Sequence, residues 1–178
     1  MTTSPREPLR GLAPARLHAD DGSEAEMWKR NASIAGMKHE LRDIERLADR
    51  ITIQVSAYRQ LLDVTGGHYD GSSVALRTVR LALTSAHEAL AKVEQLSAKV
   101  DIEEFGARHP ATGIQFRAQH GTDVDAIEEY ANDLGIQANA QEYGLALAPS
   151  QRRPDQASLE YMRFIVHTMS TILTMQGA

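Results

Sequence analysis

Residues 33–63 read SIAGMKHELRDIERLADRITIQVSAYRQLLD, and their apolar spacing decides the fold class. Ile34, Met37, Leu41, Ile44, Ala48, Ile51, Val55, Tyr58 and Leu62 follow one another at alternating steps of three and four, and all nine are apolar. At the chain's overall 42% apolar content such a run arises by chance in about four of ten thousand tries per register. A 3-4 alternation places one narrow apolar stripe along a long helix, which must lie against another helix to leave water.

Working outward, Ser23 with Glu26 fits a capping box, so the spacing predicts a helix over 23–64, roughly 60 Å long if straight. Gly36 costs about 1 kcal/mol inside it relative to alanine and is a candidate break. Thr65-Gly66-Gly67 is the stop. Ser72 or Ser73 can cap a second helix over 72–104. Its expected seam is Leu76, Val79, Leu83, Ala86, Leu90, Val93, Ser97 and Val100, with Ala82 and Leu96 widening the stripe. Two long helices with matching seams and a short loop predict an antiparallel coiled-coil hairpin.

The segment 105–153 changes character. Gly106, Pro110, Gly113 and Gly121 break any helical period. A short helix is expected at 124–134, capped by Asp125 with Glu128, faced by Val124, Ile127, Tyr130, Ala131 and Leu134, and ended by Gly135. Residues 113–119 and 135–141 both read G-I-Q-x-x-A-Q. That echo suits two short strands flanking the helix, or a coincidence in a Gln- and Ala-containing connector. Arg152 and Arg153 close a polar linker, and Pro154 suits the first turn of a last helix over 154–176. There Leu159, Met162, Val166, Met169 and Leu173 again step by three and four. From Phe164 to Ala178 only His167 could carry a side-chain charge. This helix must be buried, in its own bundle or between subunits, and those five residues are the expected interaction surface.

The totals agree with a helical reading. The chain has 178 residues, three Phe, five Tyr and one Trp, so its core is mostly aliphatic. A net charge of −5 speaks against a nucleic-acid partner, which needs clustered positive charge. The absence of cysteine excludes disulfides, thiol catalysis and Cys-ligated zinc. Residues 1–22, with three prolines and two glycines, read as a disordered tail without the apolar core of a signal peptide. No stretch is long and apolar enough for a membrane span. The default compartment is cytoplasmic, and a flexible Ser/Thr/Pro-bearing start is also compatible with export without a cleaved signal peptide.

Candidate chemistry is sparse. None of the seven histidines follows Glu or Asp by three residues, so the paired Glu-x-x-His of di-iron bundles is missing. His39 with Asp43 could share a metal but reads as a solvated i, i+4 pair. His87 and His167 flank their seams. No G-x-S-x-G turn or phosphate loop occurs, and Arg108 and His109 sit in an ordinary-looking turn. Arg42, Arg46 and Arg50 form a basic ladder that Asp43, Glu45 and Asp49 nearly cancel. Met27, Met37, Met162, Met169 and Met175 suit an adaptable groove or plain core.

The resulting expectation is an all-α bundle with no catalytic residues, cofactor or metal. Its function is non-enzymatic assembly through coiled-coil surfaces, with itself or another helical protein as partner. A more specific alternative is an exported filament, needle-tip or tail-like structural subunit, by analogy of layout. A helical metal- or cofactor-binding enzyme is the third class, and its ligand pairs are missing.

Overall fold

The computed structural model describes residues 21–66, 74–103, 120–147 and 156–177. They form four helices: α1 (Asp21–Val64), α2 (Val74–Glu103), α3 (Ala126–Leu147) and α4 (Gln156–Gly177). The fold is an all-α helical bundle, with no strand among the described residues. The chain divides into two compact units, residues 1–32 and 33–178. In the first, Met27 and Trp28 are exposed on α1. Everything below concerns the second.

Within it, Met37, Leu41, Ile44, Ala48, Ile51, Val55 and Tyr58 of the α1 stripe are buried, while Ile34 and Leu62 at its ends are half-buried. The helix passes through Gly36 without a break. It ends where Thr65 N donates to Leu61 O at 3.1 Å and Gly66 N to Asp63 O at 3.3 Å. Gly66 has φ +65°, the left-handed conformation that glycine adopts without a Cβ penalty.

Inter-helix pairs fix the directions. Glu40 meets Lys99, Arg50 meets Glu88, and Gln54 accepts from Ser85, so α2 runs antiparallel to α1. Arg42 meets Glu142 and Arg59 meets Asp125, so α3 also runs antiparallel to α1. Ser158 donates to Gln137 and Tyr161 to Asp133, while Arg163 meets Glu94 and a Cβ at Gly177 would lie 3.4 Å from Val79, so α4 is antiparallel to both α3 and α2. The ends of α2 and α3 joined by the chain from Glu103 to Ala126 therefore lie at opposite ends of the bundle.

Five expectations need correction. The α2 seam is rotated: the buried residues are Ala75, Val79, Ala82, Ser85, Ala86, Ala89, Val93 and Leu96, whereas Leu76, Leu83, Leu90 and Ser97 are half-buried. Because α2 has two neighbours, α1 and α4, its contact stripe is wide, and small alanines occupy its centre. The third helix does not stop at Gly135 but continues to Leu147. An added Cβ at Gly135 would lie 3.7 Å from Ala48 Cβ, so this glycine sits at the α1–α3 contact rather than at a helix end. Residues 135–141 are thus helical, not a strand; 113–119 lie outside the described residues. Asp123, not Asp125, caps α3, its Oδ1 accepting from Ala126 N at 3.2 Å; Asp125 and Glu128 reach Arg59 instead. Ser23 falls inside α1 rather than at its cap. The caps expected at Ser72 or Ser73, nearly all of the N-terminal tail, Arg152 and Arg153 lie outside the described residues.

Candidate interaction surface

Leu159, Met162, Val166, Met169 and Leu173 are each 2% exposed or less. They form part of one core with α1, α2 and α3. The seam expected as an assembly surface is therefore covered by the chain's own helices. Ser158, Ile165 and Ile172 make a second buried row on α4, because this helix packs against α2 on one side and α3 on the other. The outer hydroxyls Thr168, Thr171 and Thr174 donate to the carbonyls of Phe164, His167 and Ser170 at 2.9, 2.9 and 2.7 Å. These three hydroxyls of a charge-poor helix are thus satisfied locally, while the buried Ser170 Oγ has no hydrogen-bond partner among the described residues.

The α3 helix presents a different surface. From Asn132 to Leu147 its only charged side chains are Asp133 and Glu142. Both turn sideways: Asp133 accepts from Tyr161 of α4, and Glu142 pairs with Arg42 of α1. Between these edges Asn132, Ile136, Asn139, Ala140 and Tyr143 form an uncharged outer face. Ile136 is 55% exposed and Tyr143 65%. An open groove of about 470 Å³ runs between this face and α1, lined among others by Glu45, Asp49, Thr52, Asn132, Ile136 and Asn139. Spacing made this face legible: 132, 136, 139 and 143 step by four, three and four. The expected end of the helix at Gly135 hid it.

The basic ladder is distributed among partners. Arg42 holds Glu142, Arg46 lies 3.4 Å from Asp43, and Arg50 lies 3.6 Å from Glu88. His39 pairs with Asp43 at 3.4 Å on an exposed surface. His87 and His167 are exposed. Of the methionines singled out in this unit, Met37, Met162 and Met169 are core, whereas Met175 is exposed. Arg108 and His109 lie outside the described residues.

Two polar clusters stiffen the unit. Glu40, nearly buried, lies 3.0 Å from Lys92 Nζ and 3.2 Å from Lys99 Nζ. The hydrogen bond to Glu40 holds the Lys92 ammonium above its ordinary range. At the start of α3, His120 Nδ1 lies 2.7 Å from Glu129 and Nε2 lies 2.8 Å from Asp133. Tyr161 Oη donates to Asp133 at 3.0 Å, and Tyr130 Oη to the His120 carbonyl at 3.0 Å. Burial, then the bond to Asp133, pushes the Tyr161 hydroxyl up to about 12; burial also raises Tyr130. With a carboxylate on each ring nitrogen, the His120 ring is held in place. The i, i+4 pair Glu129 and Asp133 was the available signal for this cluster. Among the described residues no group of three or more His, Asp or Glu is placed to hold a metal ion. No described helix is long and apolar enough to cross a membrane.

Comparison of the chain with known protein families, with curated proteins and with solved structures gives no match.

Proposed function

We propose that this is a non-enzymatic helical assembly protein that works by docking one helix face against another helical chain. The observation carrying this reading is the uncharged outer face of α3, where Ile136 and Tyr143 stand exposed one helical repeat apart. Such a face beside an open groove suits a partner helix, which would cover the apolar side chains and interleave with the small residues between them. The α4 seam has no part in this role, since its residues already hold the bundle together. The polar clusters serve rigidity: they lock α1 to α2 and α3 to α4, so the docking face is presented by a stiff frame.

The test is native mass spectrometry and light scattering across a concentration series. Wild-type protein is expected above the 19.6 kDa of one chain. Ile136→Lys is expected to lower the mass to one chain while leaving helical circular dichroism unchanged. Wild-type protein with the mass of a single chain at every concentration would count against assembly through itself.

A further inference from the structure

We propose that His120 is a pH-sensitive clasp: its charged ring fastens the turn before α3 to the α3–α4 edge, and its neutral ring lets that turn slacken. The clasp is independent of the docking face proposed above. Residues 120–125 lead into α3. They carry Asp123, the α3 cap, and Val124, which packs against both apolar clusters. The first residue of this turn is tied down mainly by polar contacts. His120 Nδ1 lies 2.7 Å from Glu129 Oε2, and Nε2 lies 2.8 Å from Asp133 Oδ2. Tyr130 stands edge-on to the ring at 4.9 Å between centroids and donates to the His120 carbonyl.

Donor counting gives the clasp its sign. A neutral imidazole has one N–H and one bare nitrogen, whereas the imidazolium has a donor on both sides. An ionised carboxylate only accepts. Carboxylates at both ring nitrogens therefore suit the charged ring. When the proton leaves, one nitrogen turns a lone pair toward a carboxylate, and that contact opens. Glu129 is the partner that departs. Its side chain is 65% exposed and returns to water, whereas Asp133 is 24% exposed and also accepts from Tyr161 of α4. Glu129 and Asp133 are moreover like charges at i, i+4 on one helix, which repel each other. Among the described residues His120 is the only cation placed on either of them. The remaining titratable groups around the ring are the hydroxyls of Tyr130 on α3 and Tyr161 on α4. Burial raises both above 10, Tyr161 to about 12. Neither changes charge in the range of about pH 5 to 8 where imidazole does.

Amide hydrogen exchange of the full-length chain, read by NMR, tests the clasp. The amides of Ala126 and Ile127, bonded to the carbonyls of Asp123 and Val124, report on the turn. Met169, buried in α4, reports on the bundle. After correction for the intrinsic effect of pH on exchange, protection at Ala126 and Ile127 should fall severalfold between about pH 5.5 and about pH 8, while Met169 holds. Nitrogen spectra of the His120 ring should show both nitrogens protonated at the lower pH and Nε2 alone at the higher. Glu129→Gln is the decisive variant. Its amide accepts from a protonated Nδ1 and donates to a bare one, so it should hold the ring at both pH values and remove the dependence. The same variant controls for the other histidines, including His39 beside Asp43. Equal protection of Ala126 and Ile127 at both pH values in the wild type would overturn the clasp. So would a fall that persists in Glu129→Gln, since another group would then be responsible. An equal fall at Met169 would also overturn it, because the response would belong to the whole bundle.

Discussion

The α3 and α4 helices have the same length of 22 residues, and both are poor in charge along their second halves. One is sunk in the core and the other keeps an open face. The difference lies in the number of neighbours. Rows on two sides of α4 are taken up by α2 and α3, and its outward hydroxyls fold back onto their own backbone. The α3 helix is gripped along its edges by α1 and α4, while the side chains between those grips face outward. Lack of charge thus marks a helix as needing cover without saying whether the cover comes from within.

The sharpest way to break this contrast is to place the same carboxylate in both helices. Val166→Asp, at 0% exposure, should abolish the cooperative unfolding transition, because an unpaired buried carboxylate costs several kcal/mol. Ala140→Asp on the outer face of α3 should shift unfolding of the single chain by less than about 0.5 kcal/mol. Denaturant titration of both variants decides it, and equal effects would dissolve the distinction.

Next in size is the buried alanine row at the centre of the α2 contact stripe. Ala86→Leu should destabilise by about 1–3 kcal/mol through overpacking. Leu81→Ala, at a 51% exposed position on the same helix, should cost much less. A similar loss from both would show that the alanine row is not where the helices meet.

A subtler check uses the hydroxyl that joins α3 to α4. Tyr161 ionises at about 12 in the folded chain against 10 for the free group. The folded state keeps a proton that the unfolded state releases, so this contribution is complete below pH 10 and is lost as pH rises to about 12. Lys92, raised from 10.5, acts in the same direction above its own unfolded value. Tyr161→Phe should flatten the stability curve between pH 10 and 12, read by chemical denaturation at several alkaline pH values. An unaltered slope would mean that burial and the bond to Asp133 together do not hold the Tyr161 proton in the folded chain.

The smallest effect is a gain. Gly135→Ala should stabilise the chain by up to about 1 kcal/mol, because alanine favours the helix interior and its Cβ would meet Ala48 at an ordinary contact distance. A loss, measured by thermal unfolding, would mean that α3 sits closer to α1 than described.

The α1 stripe was readable from spacing because seven of its central positions are buried on one side, six of them in one continuous core, and a helix with one buried side writes that side plainly. The α2 stripe was readable only to within part of a turn. Its leucines suggested the centre, but two neighbouring helices broadened the buried face and moved its middle to alanine. The extent of α3 was missed for a related reason: glycine is read locally as a helix stop, whereas Gly135 lies against Ala48, a residue far away in the chain. Of the candidate interface, the period 132, 136, 139 and 143 was present in the residues, but the outward direction of that period was not.

Periodicity, the scarcity of aromatics and the Gly- and Pro-rich breaks were enough to determine an all-helical chain with a long first helix and a last helix that must be covered. Those are consequences of local geometry and of water's exclusion of apolar side chains, and they hold whatever the helices pack against. Which helix covers which was decided only in three dimensions. The shared direction of α2 and α3, the closure of α4 over its own seam and the open face of α3 all depend on contacts between residues distant in sequence. Helix direction and neighbour number are set by how the faces fit together, so no single stretch of the chain contains them.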